Sequence, residues 1–141
     1  MSTPVRTQYG ALPHRPSAGS GRDILLITSR DTGRWVIPKG WPMRGWSGAE
    51  VAAREAFEEA GIEGESWSQA IGAYHYHKRR PGDRSVTCRV EVFPFGVITE
   101  LARWPERHQR RRAWFAAHDA AALVNEDELK TLILSLSEIT P

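Results

Sequence analysis

Cysteine is almost absent from this chain: the 141 residues include only Cys88. That excludes an intrachain disulfide and any cysteine-rich zinc site, and it suits a reducing compartment. Long apolar runs are also missing, since nothing approaches the roughly 20 residues that a membrane-spanning helix requires. The opening MSTPVRTQYGALPHRPSAGSGR has no apolar stretch behind its positive charges and does not read as a secretory signal. A cytoplasmic protein that needs no membrane is the expectation. An excess of one charge sign is equally scarce: the formal total is +2, which alone argues for neither a nucleic-acid partner nor an acidic membrane. What remains is a soluble chain with 40% hydrophobic and 26% charged residues and a mean hydropathy of −0.46, long enough for one core.

The small total conceals a strong pattern. From Glu50 to Glu65 six acids stand against one base, a net of −5. From Lys78 to Glu91 the net is +3, from Arg103 to Arg112 it is +4, and the rest of the chain sums to zero. Charge blocks of this kind are commonly just solvated faces. A carboxylate cluster and separate arginine clusters also suit a protein that binds a cation with one and a polyanion with the other.

Local signals divide the chain into elements. The first twenty residues are rich in Pro, Gly and Ser and are expected to form a flexible arm, with room for a short strand at Ala11 and Leu12. A single domain is expected over residues 21–141. Asp23 to Thr28 and Trp35 to Ile37 are apolar runs of strand length flanking an Asp31-Thr32-Gly33 turn, which makes a hairpin. Ala49, Ala52, Ala53, Ala56, Phe57 and Ala60 recur at helical spacing. With Ser47 as N-cap, Glu50 three residues on and Gly61 as the stop, they predict a helix over 48–60. Ala70 to His77 and Ser85 to Ile98 read as strands joined through Pro81-Gly82-Asp83, and Trp114-Phe115 as a last short strand. Leu129, Leu132, Ile133 and Leu136 mark an amphipathic helix over about 126–136. This order of elements predicts an α/β domain, a mixed sheet covered by helices.

The predicted helix carries the chemistry. Glu55 lies three residues before Glu58 and four before Glu59, so all three carboxylates lean to one side and repel one another by a few tenths of a kcal/mol per pair. A hard divalent cation among them offsets that repulsion, and Mg²⁺ favours carboxylate and phosphate oxygens. The loop before the helix, Ile37-Pro38-Lys39-Gly40-Trp41-Pro42-Met43-Arg44-Gly45, has the prolines and glycines of a fixed irregular backbone. Such a loop can bring a main-chain carbonyl to a metal and turn Lys39 toward a phosphate.

From Gly40 to Ile62 the sequence resembles the Nudix box, G-x5-E-x7-R-E-U-x-E-E-x-G-U with U apolar. Gly40, Arg54, Glu55, Glu58, Glu59, Gly61 and Ile62 stand at the required offsets, and the position of the first glutamate of the box holds Trp46. The resemblance implies an α/β/α sandwich with Mg²⁺ or Mn²⁺ held by Glu55, Glu58 and Glu59 and by the Gly40 carbonyl. It also implies that Arg54 orients the carboxylates and that Glu59 or Glu58 acts as general base on water attacking a diphosphate linkage. Glu100 and Glu106 are secondary candidates for a further ligand.

PKGWPM together with the arginine-rich stretch from Trp104 to Phe115 looks like the diphosphoinositol polyphosphate phosphohydrolase branch of that family. This implies a small-molecule substrate dense in phosphate, a diphosphoinositol or dinucleoside polyphosphate. Arg30, Lys39, Arg110, Arg111 and Arg112 would then contact phosphates, with Arg15 and Arg89 as further candidates. Arginine suits such a polyanion because its planar fork binds phosphate oxygens in pairs. Two alternatives stand beside this reading: a hydrolase of simpler nucleotides such as ADP-ribose or oxidised nucleotides, and a non-catalytic sensor of nucleotide or RNA. Nucleic acid as a partner is not favoured, and the chain is expected as a monomer or homodimer. His75 and His77 share a strand face without a third ligand nearby, which favours structural or phosphate-facing roles. Trp35 and Trp114 read as core, while Trp41 and Trp46 flank the proposed site.

Overall fold

The computed structural model describes residues 4–19, 21–80, 82 and 84–139. Eight strands form one mixed sheet: β1 (Val5–Pro16), β2 (Arg22–Thr28), β3 (Trp35–Val36), β4 (Lys39–Gly40), β5 (Ile62–Ser66), β6 (Gly72–Arg80), β7 (Arg84–Glu100) and β8 (Arg112–Ala116). Among the described residues three helices accompany the sheet: α1 (Gly48–Ala60), α2 (Ala117–Leu123) and α3 (Asp127–Glu138). The sheet runs β3-β2-β1-β7-β5, with β4 paired to β1, β6 to β7 and β8 to β2. Among the described residues no helix is long and apolar enough to cross a membrane.

Strand alternation sorts the apolar side chains to two faces. Leu25 and Ile27 of β2 pack with Ala52, Ala56 and Ala60 of α1. Ile24 and Leu26, their alternates, pack with Ala120, Leu129, Ile133 and Leu136 of α2 and α3. The sheet is therefore covered on both faces, as the α/β/α expectation requires. The predicted helix over 48–60 forms within those bounds, closed at its start by a reciprocal capping box between Ser47 and Glu50 and at its end by Gly61 at φ 65°.

The N-terminal segment corrects the sequence reading. Far from a loose arm with a short strand at Ala11 and Leu12, Val5–Pro16 is a twelve-residue strand parallel to β7 from Val5↔Thr87 to His14↔Gly96. The same sheet thus takes in residues on both sides of the expected boundary at residue 20. The strand escapes local reading because its longest pairing, with β7, joins residues some eighty apart, and its Pro and Gly resemble a linker. Pro13 is tolerated because it falls between the pairing with β4 at Tyr9 and Gly10 and that with β2 at His14 to Pro16. Ala11 N–H donates to Pro38 O on that edge at 2.9 Å. By alternation the missing N–H of Pro13 faces the same gap in the ladder. Of the turn expected at Pro81-Gly82-Asp83, Pro81 and Asp83 lie outside the described residues, and Gly82 has φ 78°.

Candidate active site

Each turn of α1 near its C-terminus places a carboxylate differently. Glu55 and Glu59, four residues apart, lie on one side and line a cavity of about 300 Å³ together with Lys39, Gly40, Glu106 and Arg110. Glu59 is only 8% exposed. Glu58 turns away and is held in an ion pair by Arg54, whose Nε donates to Oε1 at 2.8 Å. Gly40 is required at its position: a Cβ there would overlap the Glu55 carboxylate. The sequence-predicted set is therefore divided, with Glu55, Glu59, Gly40 and Lys39 brought together and Glu58 left in the Arg54 pair beside them.

Two neighbouring carboxylates, Glu59 buried and Glu55 half-buried, need positive charge or a proton. Burial, the larger effect, pushes the Glu59 carboxyl up to about 8, with Glu55 adding to the rise and Arg110 opposing it. Glu55 is raised too, again chiefly by burial. Among the described residues no three His, Cys, Asp or Glu side chains close into a ready-made metal cage. The donor chemistry nonetheless fits a hard divalent cation: two carboxylates one helical turn apart, a third carboxylate in the same cavity, and no softer ligand lining it.

Beside the carboxylates the wall is basic. A second cavity, about 610 Å³, shares Arg30, Lys39, Tyr76, Lys78 and Arg110 with the first and extends past Ser29 and Thr32 to Arg34 and His77. Burial pulls the Lys39 ammonium below its usual range; Glu59 opposes this, and Arg34, Arg110 and Lys78 add to it. These cations crowd one another, and a polyanion would relieve them. Lys78 and Arg34 were not singled out by the sequence reading. Lys78 was visible there only as part of a basic block, and Arg34 lies in a strand-turn segment with no motif.

The three consecutive arginines go three ways. Arg110 enters the cavity, donating to Glu106 Oε1 at 2.8 Å and Thr28 O at 3.1 Å, with Nη2 3.7 Å from Glu59 Oε1. Arg111 is exposed, and its main-chain N–H donates to Thr28 Oγ1 at 2.8 Å. Arg112 corrects the expectation of phosphate contact. Its guanidinium donates to the carbonyls of Ala60 (2.9 Å), Gly61 (3.1 Å) and Leu101 (2.7 Å) and lies 4.0 Å over the Trp104 ring. A helix leaves its last four carbonyls unpaired and gathers negative charge there. Here Gly61 N–H takes Phe57 O, Glu106 N–H takes Glu58 O, Trp104 Nε1 takes Glu59 O and Arg112 takes Ala60 O.

The segment between β7 and β8 is thus the C-terminal cap of the carboxylate helix, and the cap delivers Glu106 and Arg110 to the site. Arg112→Ala strips three carbonyls of a charged donor and is expected to lower stability by about 2–4 kcal/mol in chemical denaturation. Arg112→Lys should restore only part, because an ammonium cannot reach three carbonyls as a fork.

The remaining candidates sit as follows. Arg30 reaches Gln109 Oε1 at 3.0 Å on the rim. Arg15 stacks 4.0 Å over Trp114 and pairs with Asp23 and Glu100, which removes both Arg15 and Glu100 from the site. Arg89 pairs with Glu91, and His75 with Glu128. Trp46, 41% exposed, lines a separate cavity of about 440 Å³ with Phe57, Ile62 and Phe95, not the one lined by Glu55 and Glu59.

This α/β/α sandwich sets two glutamates of one helix against a cleft lined by lysine and arginine side chains. The chain belongs to the Nudix family: the model described as NUDIX domain matches residues 11–134. Nudix hydrolase 12, mitochondrial, from Arabidopsis thaliana is 31% identical over 108 residues, covering 72% of this chain and 51% of that protein. Diphosphoinositol polyphosphate phosphohydrolase 3-beta from Bos taurus is 29% identical over 99 residues, 69% of this chain and 56% of that one. The chain spans little more than half the length of these relatives. In fold it is similar to a C. elegans Ap4A hydrolase solved as a binary complex, with a TM-score of 0.67 and 20% identity over 94% of this chain and 95% of that one.

Proposed function

We propose that this chain hydrolyses a diphosphate linkage in a phosphate-rich small molecule, such as a diphosphoinositol or dinucleoside polyphosphate, with Mg²⁺ or Mn²⁺ as cofactor. The observation that carries this reading is the wall the two cavities share: Lys39 and Arg110 line both the carboxylate compartment and the basic one. A phosphate chain lying across them would meet cations on one side and reach the carboxylates on the other. The names of the relatives, which include phosphohydrolases of both substrate types, support the choice.

In this reading Glu55 and Glu59 hold the cation, with Glu58 joining only if its pair with Arg54 opens. The bound cation would lower the pKa of water and screen phosphate charge. Glu59, which a bound cation would keep ionised, accepts the proton of the attacking water; its place in the cavity, against Glu58 held in the Arg54 pair, favours it as base. Arg110 and Lys39 position the phosphates, and Arg30 and Lys78 receive the far end of the chain. The single buried Cys88 suits a reducing compartment such as the cytoplasm.

Phosphate release with Mg²⁺ is the direct test, run on diphosphoinositol polyphosphates, diadenosine polyphosphates, ADP-ribose and nucleoside triphosphates. Turnover should be highest on the first two and vanish with EDTA. A preference for ADP-ribose would move the substrate class, and no turnover on any would favour the non-catalytic sensor.

A further inference from the structure

We propose that the groove between α1 and the outer edge of β5 docks an extended segment of a partner protein, added to the sheet as a strand in which apolar residues alternate with lysine or arginine. The inference stands apart from the reaction proposed above: this groove, about 440 Å³, shares no lining residue with the carboxylate cavity or the basic one. Its most exposed apolar wall is Trp46, which occupies the position where the Nudix box has a glutamate and which the carboxylate cavity does not use.

Strand β5 ends the sheet. Among the described residues it pairs on one side only, with β7, and a strand in that position presents its other row of N–H and C=O groups to a newcomer. Glu63, Gly64 and Glu65 are exposed along it, and Gly64 puts no side chain in the way of an approaching backbone. Beside this edge α1 supplies apolar surface. Ala53 and Phe57, one helical turn apart and both half-buried, stand with Trp46 over a floor of Ile62 and Phe95. Side chains of an added strand point alternately to the two faces of the sheet, so every second one would enter the groove. The charges decide what stands between them. Glu63 and Glu65 alternate with the groove-side Ile62 and Gly64, and among the described residues neither is paired with a basic side chain. Glu50 adds a carboxylate on the α1 rim, where the one base, Arg54, is already held by Glu58. An apolar strip bordered by free acids on an open sheet edge is complementary to a strand of alternating apolar and basic residues.

Panning a phage-displayed library of random twelve-residue peptides on the whole chain is the test. Enriched sequences should alternate apolar residues with Lys or Arg. A synthetic copy of the strongest, titrated by fluorescence polarisation, should bind about 10- to 100-fold more weakly to Trp46→Ser. Glu63→Lys combined with Glu65→Lys should weaken the same peptide, and so should added salt. Of two copies methylated at alternate main-chain nitrogens, one should lose binding because its ladder side is blocked. Melting temperatures close to the parent's check that these surface changes leave the fold intact. No enrichment, enrichment of acidic sequences, binding by both methylated copies, or binding that survives both sets of substitutions overturns the docking site. A mass in light scattering that doubles with protein concentration and returns to the monomer in Trp46→Ser seats a second copy in the groove and overturns the separate partner.

Discussion

Glu59→Gln is expected to lower turnover of a diphosphate substrate by about 10²- to 10⁴-fold, the range for losing a general base, with the loss expressed in kcat. The same change should not weaken the fold. Glu59 is buried with its carboxyl raised to about 8, so at neutral pH the native state holds a proton that the unfolded chain, near the ordinary value of 4.5, has released. A group raised in this way contributes stability that is complete below about 4.5 and is lost as pH climbs toward about 8. Without a divalent cation the parent protein should therefore lose stability across that window. Glu59→Gln, having nothing to ionise, should be flatter in pH and at pH 8 at least as stable. Added Mg²⁺ should raise the melting temperature of the parent at pH 8 more than that of the variant. Rate and melting curves that match the parent at every pH would remove Glu59 from the chemistry.

Arg110→Gln is expected to raise KM for a phosphate-rich substrate by about 10- to 100-fold, the equivalent of losing one charged hydrogen bond of about 1.5–3 kcal/mol. The side chain is 10% exposed, touches Glu106 and Thr28, and stands 3.7 Å from Glu59, so it is held in place before any substrate arrives. Its removal also leaves three acids of the cavity with less positive charge nearby, and some loss of stability should accompany the kinetic effect. The neighbouring Arg111→Gln is the control: that side chain is exposed, and the change should alter KM by no more than about threefold. Equal effects at the two positions would mean that the arginine cluster acts as a diffuse field and not through a positioned guanidinium.

Much of the fold was legible because it is written locally. The bounds and both caps of α1 follow from the alanine spacing, Ser47, Glu50 and Gly61, since helix hydrogen bonds join residues four apart. The β2–β3 hairpin follows from two apolar runs and a Gly33 turn, and α3 from four leucine and isoleucine positions. What was missed depends on distant partners. β1 looked like a linker because its pairing lies some eighty residues along the chain, in β7. β5 (IEGES) has acids and a glycine and little β-propensity, and it is a strand because β7 offers it an edge from Ile62↔Glu100 to Ser66↔Phe95. α2, seven residues rich in alanine, lacks the length for a periodic signal.

The candidate site divides along the same line. By itself the sequence determined that three carboxylates fall within five residues of one helix, that a Gly-Pro loop precedes them, and that arginines gather between β7 and β8. All of these are properties of neighbours in the chain. Only the tertiary structure decided which carboxylates meet and which arginines serve them. Glu55 and Glu59 face a cavity because α1 packs one stripe against the sheet, leaving Glu58 to Arg54. Arg110, Arg111 and Arg112 point apart because the chain enters an extended strand, where successive side chains alternate, and because the unpaired carbonyls at the end of α1 claim the third. A run of like charges names a ligand class only after the backbone has assigned each charge its direction.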